Sequence, residues 1–290
     1  MKVLLTGATG FLGSSILRYL KMDSELQVET IGKKRIQLSN NLNPRYHHFV
    51  DLQNEDIQNF LNDKKYKLLI HAAWQGLPNR EEDFNRINTE LTLNLFEAFL
   101  GAGGGAILGF GSCLEYGEIR GPVGESHEGL NVTKFGMTKK YLESRLSMSN
   151  VPHLWLRPFY LYGATQHQDS LFHTTLKNIE NTDSSWLQDP FAAHDFVFIE
   201  DLGRLVAKLV AKQLWIGTLN IGTSHAIQNV SFVNTIRHIL GKDKLKKHGE
   251  QANGLVADLT KFRKYLPNFQ FTPLHEGLQT SLNSIKGLPR

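Results

Sequence analysis

The sequence predicts an α/β protein with a doubly wound parallel sheet, and three observations support that prediction. Short apolar runs alternate with helical patterns through most of the 290 residues. The first run, Val3 to Thr6, is followed by glycines at positions 7, 10 and 13 and then by a helical pattern that ends at Leu20. The alternation weakens after Gly222, which predicts a smaller C-terminal α+β domain.

Composition narrows the class of ligand. The formal net charge is +4, yet the basic residues are scattered apart from two clusters, residues 33–35 and 242–248. This distribution favours anionic small molecules and argues against a nucleic-acid surface. The single cysteine, Cys113, excludes an internal disulfide and indicates a reducing compartment.

Membrane and secretory signals are not expected. No apolar run approaches the ~20 residues of a membrane span, and the first strand begins too early, at Val3, for a signal peptide to precede it. We therefore expect a cytoplasmic protein without a membrane partner.

The glycine-rich turn between the first strand and the first helix predicts a dinucleotide site of the Rossmann type. Glycines allow a tight turn, close approach of the backbone to a pyrophosphate and close packing of helix on strand, and the phosphates meet the positive end of the helix. The predicted pyrophosphate contacts are Gly7, Thr9, Gly10, Phe11, Leu12 and Gly13.

The second strand, residues 27–31, is followed by Gly32 and the basic run Lys33-Lys34-Arg35. An acidic residue at this place binds the ribose 2′-hydroxyl of NAD, whereas a basic one accommodates the 2′-phosphate of NADP. The run therefore predicts NADPH as the preferred cofactor, with NAD as the alternative. A surface turn that is basic without function would explain the same residues.

The remaining elements follow in order. Residues 46–50 predict a third strand that ends at Asp51-Leu52; its adjacent histidines point to opposite faces, so we expect no metal there. A fourth strand, 68–73, contains Ala72 and Ala73, which are small enough for close approach of a cofactor, and a loop at 74–79 follows it. The other predicted elements are a helix over 83–99, a strand over 107–110, a helix over 134–148, strands over 154–158 and 195–199, and helices over 230–240 and 260–265.

Ordered motifs along nearly the whole chain resemble one family. They are the glycine turn, Asp51-Leu52, His71-Ala72-Ala73, Asn88, residues 112–117 and 135–139, Arg157-Pro158, Gly163, residues 195–201 and Asn220-Ile221-Gly222. Together they resemble the extended short-chain dehydrogenases/reductases, which include nucleotide-sugar epimerases, dehydratases and ketoreductases. The resemblance implies that Asp51, Leu52, Ala72, Ala73, Asn88, Lys139 and Pro158 contact the dinucleotide.

The same resemblance implies a catalytic group of a hydroxyl residue, a tyrosine and a lysine, the last two spaced Y-x-x-x-K on one helix. Ser112 matches the hydroxyl and Lys139 the lysine, but Phe135 occupies the tyrosine position. Phenylalanine cannot transfer a proton, and loss of general acid–base help typically costs ~10²–10⁴ in rate. We therefore expect severely reduced activity.

Three explanations of Phe135 stay open. The residue could be an engineered replacement that traps a bound complex, a natural change in a degenerate homologue, or a sign that another group donates the proton. We favour the first, because Ser112, Lys139 and the glycine turn are intact.

The resemblance also narrows the reaction. Dehydratases of the family carry an Asp-Glu pair after the catalytic hydroxyl, where this chain has Cys113 and Leu114, so dehydration is not expected. The strings at 73–79 and 111–117 resemble those of 4-ketoreductases, which predicts NADPH-dependent reduction of a nucleotide-linked 4-keto-6-deoxyhexose. The alternatives are a nucleotide-sugar 4-epimerase with tightly bound NAD and a non-catalytic dinucleotide-binding regulator.

Predicted contacts to the nucleoside-diphosphate sugar come from several segments. Trp74 is expected to flank the sugar, and His194 stands where the family often has an arginine for the diphosphate. Tyr160 replaces a common asparagine. Ser112, Cys113 and Leu114 complete the set, although Cys113 equally fits a small buried hydrophobe.

The expected organisation has two parts. Residues 1–163 with about 194–222 would form the dinucleotide-binding domain, and about 164–193 with 223–290 the substrate-binding cap. The family implies a homodimer formed by the helices over 83–99 and 134–148.

Overall fold

The computed structural model describes residues 1–33, 47–53, 56–77, 82–183, 185–245 and 253–285. It divides into two compact units. The first comprises Met1–Gly117, Asn131–Arg157 and Leu202–Leu219, and the second Glu118–Leu130, Pro158–Asp201 and Asn220–Arg290. The functional division expected from the sequence stays a prediction. The second unit contains residues 118–130, 158–163, 194–201 and 220–222, which were expected in the dinucleotide-binding domain.

The strands and helices are numbered in chain order. The strands are β1 (Lys2–Thr6), β2 (Gln27–Gly32), β3 (His47–Phe49), β4 (Leu68–His71), β5 (Ala106–Phe110), β6 (Gly121–Val123), β7 (His153–Pro158), β8 (Tyr160–Tyr162), β9 (Ala193–Phe198), β10 (Gly217–Ile221), β11 (Ala226–Gln228) and β12 (Leu255–Ala257). The helices are α1 (Phe11–Leu20), α2 (Ile57–Leu61), α3 (Glu82–Gly101), α4 (Lys134–Met148), α5 (Leu171–Lys177), α6 (Ile199–Ala211), α7 (Asn229–Ile239), α8 (Thr260–Tyr265) and α9 (Leu274–Asn283). Among the described residues, no helix is both long and apolar enough to cross a bilayer.

The first unit is built on a seven-stranded sheet with the order β10-β7-β5-β4-β1-β2-β3. The pairs β3–β2, β2–β1, β1–β4, β4–β5 and β5–β7 are parallel. The chain builds outward from β1 to β3 and then returns to place β4 on the other side of β1, which confirms the predicted doubly wound fold. Ligands of such sheets bind at this point of reversal, outside the carboxyl ends of the strands.

Large apolar side chains from strands and helices form the core of this unit. Leu4, Leu69, Ile107 and Trp155 belong to one buried cluster, to which α3 contributes Phe99. The strands β4 and β5 are buried along their whole length, as expected for parallel strands covered on both faces.

The second unit carries a five-stranded sheet. Its main path is β11-β9-β12-β6, and β8 pairs with β9. The β8–β9, β9–β12 and β12–β6 pairs are parallel and the β11–β9 pair is antiparallel. A separate apolar cluster of Leu187, Val230, Val233 and Leu245 packs around α7.

Three predicted strands end earlier in the structure, β3 at Phe49 and then β4 and β9. β4 stops at His71 rather than at residue 73, and the Ala73 amide donates to the Thr6 hydroxyl at 3.2 Å instead of continuing the ladder. β9 stops at Phe198, and Ile199 begins α6, whose first turn carries Glu200 and Asp201. Acidic groups in a first turn stabilise the helix dipole, so the pattern at 199–201 belongs to a helix start.

Candidate active site

The glycine-rich turn links β1 to α1 and lies against the end of β4. Gly7 has a φ of +73°, and a side-chain carbon at this position would lie 2.6 Å from the Ala73 nitrogen. A side-chain carbon at Gly13 would overlap the Gly7 carbonyl oxygen. Both positions therefore require glycine, and the turn keeps its backbone in contact with the segment that follows β4.

The turn and the start of α1 fit a pyrophosphate. Gly10 caps α1 without a side-chain hydrogen bond, and the first turn of the helix contains no acidic residue. Phe11 and Leu12 open this helix, and Thr9 lies exposed in the turn before it. The backbone N–H groups and the positive end of the helix dipole favour an anion at this end.

The end of β2 differs from the simple basic patch predicted for a 2′-phosphate. The Lys33 ammonium lies 2.9 Å from an Asp51 carboxylate oxygen and 2.6 Å from the Gln53 side-chain oxygen. Lys34 and Arg35 lie outside the described residues. Asp51 and Leu52 lie just after β3, beyond Val50, and Asp51 also accepts a hydrogen bond from the Gln53 backbone amide.

The loop after β4 is held by Asn88 on α3. The Asn88 amide group donates to the carbonyl oxygens of Gln75 and Phe84 at 3.0 and 2.6 Å, and its oxygen accepts from the Gln75 amide at 2.9 Å. In this arrangement Asn88 positions the backbone next to Trp74. Its predicted contact with the dinucleotide stays a prediction.

Ser112 follows β5 and caps a short 3₁₀ helix, Cys113–Tyr116. Its hydroxyl accepts from the Leu114 amide at 3.2 Å, and its own amide donates to the Glu115 carboxylate at 2.9 Å. This reciprocal pair is a capping box, which the sequence S-x-x-E of residues 112–115 could have predicted. Sequence reasoning assigned no role to Glu115.

Glu115 is buried and anchors this turn to β7. Its carboxylate lies 2.6 Å from the Arg157 Nε and accepts from the Trp155 indole at 3.1 Å, while Arg157 also donates to the Tyr116 hydroxyl at 3.0 Å. Burial acts to lower the pKa of Arg157, but the Glu115 carboxylate outweighs burial and the pKa rises. The guanidinium thus remains a fixed positive charge beneath the turn.

Lys139, Phe135 and Trp74 come together beside this turn. Phe135 and Lys139 lie on α4 and are each 7% exposed. The Lys139 ammonium donates to the Phe110 carbonyl oxygen at 2.9 Å and lies 3.4 Å from the centre of the Trp74 ring. The Phe135 ring meets Trp74 edge-on at 5.7 Å, and its centre lies 5.8 Å from Lys139 Nζ.

The start of α4 is in direct contact with the Ser112 turn. A side-chain carbon at Gly136 would overlap the Leu114 carbonyl oxygen, so glycine is required for this close approach. Contacts therefore run continuously through the first unit: Gly7 to Ala73, Trp74 to Lys139, and Lys139 to Phe110, two residues before Ser112.

The other predicted sugar contacts are distributed over both units. In the first unit Cys113 is buried and Leu114 is half-buried on the 3₁₀ helix. Pro158, predicted as a dinucleotide contact, is buried at the end of β7 and belongs to the second unit. In the second unit the rings of Tyr160 and His194 stack with centres 3.8 Å apart. Burial lowers the pKa of His194, which favours a neutral imidazole.

The chain is similar to proteins that are named as sugar-nucleotide enzymes. It is similar to an uncharacterized UDP-glucose epimerase of Bacillus subtilis, 26% identical over 318 residues that cover 99% of each chain. It is also similar to a crystal structure of UDP-glucuronic acid 4-epimerase from Bacillus cereus in complex with NAD, with 26% identity, coverage of 99% of this chain and 97% of that chain, and a TM-score of 0.82.

A variant of the Bacillus cereus enzyme in which a tyrosine is replaced by phenylalanine has been solved with UDP-4-deoxy-4-fluoro-glucuronic acid and NAD. This variant is 25% identical to the present chain, and the match covers 100% of each chain with a TM-score of 0.81. The model of the NAD dependent epimerase/dehydratase family matches residues 3–222. The chain belongs to the NAD dependent epimerase/dehydratase family.

Proposed function

We propose that this protein binds NAD and a nucleoside-diphosphate sugar and exchanges a hydride at C4 of the sugar, in the manner of a nucleotide-sugar 4-epimerase. One observation carries the proposal. The glycine turn, the Trp74 loop, the Ser112 turn and buried Lys139 form a continuous set of contacts at the carboxyl ends of β1, β4 and β5. This is where α/β sheets bind nucleotides.

Bound NAD would supply the hydride acceptor and donor. The backbone of the turn from Gly7 to Gly13 would hold the pyrophosphate, and Lys139 would bind the nicotinamide ribose. Ser112 would orient the sugar oxygen, because its hydroxyl can still donate while it accepts from the Leu114 amide. Trp74 would flank the sugar with its ring.

The 4-epimerase, stated from the sequence as an alternative, now has more support than the ketoreductase. Both related proteins are epimerases by name, and the solved one was crystallised with NAD. An epimerase oxidises C4 and then returns the hydride, so it requires the same dinucleotide in both half-reactions. The family comparison supports this chemistry without identifying the sugar.

NADPH-dependent 4-ketoreduction remains the narrower candidate, and the basic run at residues 33–35 is the observation that favours it. Lys33 weakens that argument, because its ammonium already pairs with Asp51 and Gln53. Lys34 and Arg35 lie outside the described residues. We therefore propose NAD as the first cofactor and use NADP as the competitor that tests this choice.

Restoring the phenol tests the function directly. We expect Phe135→Tyr to raise NAD-dependent turnover of UDP-glucose or UDP-glucuronic acid by up to the ~10²–10⁴ that a positioned acid–base group usually contributes. Mass spectrometry and NMR of the sugar products would measure it. Phe49→Tyr, which adds a phenol on the exposed side of β3, is the matched control.

Ligand binding separates the enzyme from a regulator. The enzyme should bind both NAD and the nucleotide sugar by calorimetry, whether or not residue 135 carries a hydroxyl. Binding of dinucleotide alone, with no turnover by Phe135→Tyr, would favour the regulatory alternative. If neither ligand binds, the proposed function is wrong.

A further inference from the structure

The Lys139 ammonium lies in an enclosure of one carbonyl oxygen and two aromatic rings. It donates to the Phe110 oxygen at 2.9 Å and lies against the faces of Trp74 and Phe135 at 3.4 and 5.8 Å from the ring centres. An ammonium group has three hydrogens to donate. One strong hydrogen bond therefore leaves Nζ able to bond a ligand that reaches it.

The enclosure lies where the sugar is proposed to react. Phe110 ends β5, two residues before Ser112, so Nζ is held at the same strand end as the hydroxyl proposed to orient C4. Trp74, the proposed flank of the sugar, is in direct contact with Nζ. On α4, Phe135 is one turn from Lys139 and offers only a hydrocarbon ring.

We propose that Lys139 itself transfers the proton of the sugar C4 hydroxyl in this protein. This inference rests on the proposed function and names the group that replaces the missing phenol. In the oxidative step the C4–H bond would break with transfer of its hydride to the nicotinamide, while the hydroxyl proton passes to the neutral amine of Lys139. In the return step the hydride would go back to C4 of the ketone, and the Lys139 ammonium gives its proton to the alkoxide that forms.

The surroundings of Nζ support both protonation states near neutral pH. Burial lowers the pKa of Lys139 to about 7, and the charge of Glu115 opposes that effect. Glu115 is itself paired with Arg157. From β4, His71 faces the same region, and burial together with the Lys139 charge lowers its pKa to about 3, which keeps its ring neutral.

The other acidic side chains on α4 and α3 either bond to other residues or are exposed. Glu143, one turn further along α4, accepts from the hydroxyls of Ser147 and Thr218. The acidic side chains of Glu90 and Glu97 on α3, which packs on α4, are exposed. The protonation equilibrium of the Lys139 amine is therefore set by burial, by Glu115 and by the two aromatic rings.

Replacement by arginine is the discriminating experiment. Arginine keeps a positive charge that can hold a ribose hydroxyl, but it does not deprotonate. We expect the Kd of Lys139→Arg for NAD to stay within about threefold of the parent value. We expect its single-turnover rate of NADH formation with a UDP-sugar to fall ~10²-fold. Lys140→Arg, the adjacent and less buried lysine, is the matched control.

Titration gives a readout that does not depend on turnover. NMR of ¹³C-labelled lysine Cε, with the Lys139 signal assigned by its loss in Lys139→Arg, should show a titration midpoint near neutral pH.

Because the oxidative step needs the neutral amine, the rate of the parent protein should rise about tenfold per pH unit below the midpoint and level off above it. A midpoint near the ordinary lysine value of ~10.4 would overturn the proposal.

The outcomes also separate this inference from the proposed function. If Phe135→Tyr epimerises the sugar while the parent forms no NADH, the function stands and the role of Lys139 is wrong. If Lys139→Arg reacts as fast as the parent, the role is also wrong. If neither the parent nor Phe135→Tyr binds a nucleotide sugar, both proposals fall.

Discussion

At the residue scale, His71 shows how a polar group is accommodated inside a fully buried strand. Its two ring nitrogens lie 2.8 Å from the Thr6 hydroxyl and 3.0 Å from the Thr92 hydroxyl. Two neutral partners satisfy the ring without a charge, and burial lowers its pKa to about 3. The family resemblance marked His71 only as part of a motif, whereas the structure shows that it joins β1, β4 and α3.

The shifted pKa predicts a pH dependence of stability. In the unfolded chain His71 binds a proton below pH ~6.5, whereas in the folded chain it stays neutral down to about pH 3. Its contribution is therefore complete above pH ~6.5 and is lost as the pH falls, by up to ~1.4 kcal/mol per unit.

Urea unfolding at pH 7 and pH 5 would measure this effect in the parent and in His71→Gln, which can still bond both hydroxyls. We expect the parent to lose ~2 kcal/mol more than the variant between the two pH values. Parallel losses in the two proteins would show that His71 does not titrate in this way.

At the element scale, the 3₁₀ helix Cys113–Tyr116 is the piece that sets the position of Ser112. Its capping box is local, but Glu115 also reaches Trp155 and Arg157 on β7. A four-residue helix has little stability of its own, because few hydrogen bonds offset the ordering of its backbone. The buried ion pair therefore determines where this turn lies.

Removing the charge of Glu115 tests that role. We expect Glu115→Gln to lower the free energy of unfolding by ~3–5 kcal/mol, because Arg157 would remain as an uncompensated buried charge. Chemical denaturation would measure the change. Glu90→Gln, which breaks the exposed pair with Arg86, should change stability by less than ~1 kcal/mol. Similar effects of the two substitutions would contradict the assignment.

At the scale of the whole molecule, dinucleotide binding and stability should be coupled. The proposed pyrophosphate site is formed by the turn and helix that pack directly on the central strand β1. A ligand that binds only the folded chain stabilises it in proportion to its affinity. The expected homodimer through α3 and α4 stays a prediction at this scale.

A charge at the start of α1 tests the coupling. NAD at ~100 times its Kd should raise the free energy of unfolding by ~2.7 kcal/mol. Leu12→Glu places a carboxylate where it favours the helix dipole but repels phosphate, so the unliganded protein should remain stable while the NAD effect disappears. Leu12→Gln, of similar shape and no charge, should retain the effect. Repeating the titration with NADP tests the cofactor choice.

Much of the fold was predictable from sequence because its signals are local. The glycines at 7, 10 and 13 and the apolar runs of β1, β4 and β5 indicated the parallel sheet, and the bounds of α4 and α8 agree with the prediction. The short strands β6, β8, β11 and β12 have only three residues each, too few for a recognisable alternation. They form because partner strands from distant parts of the chain complete their hydrogen bonds.

For the candidate site, the sequence by itself determined which chemical groups are present: a glycine turn, a serine, a lysine and no phenol at residue 135. Only the tertiary structure decided their state. Burial lowers the pKa of Lys139, and the Lys33 ammonium forms an ion pair with Asp51. The reason is physical: residue identity is local, whereas desolvation and charge pairing depend on neighbours that the fold brings from distant positions in the chain.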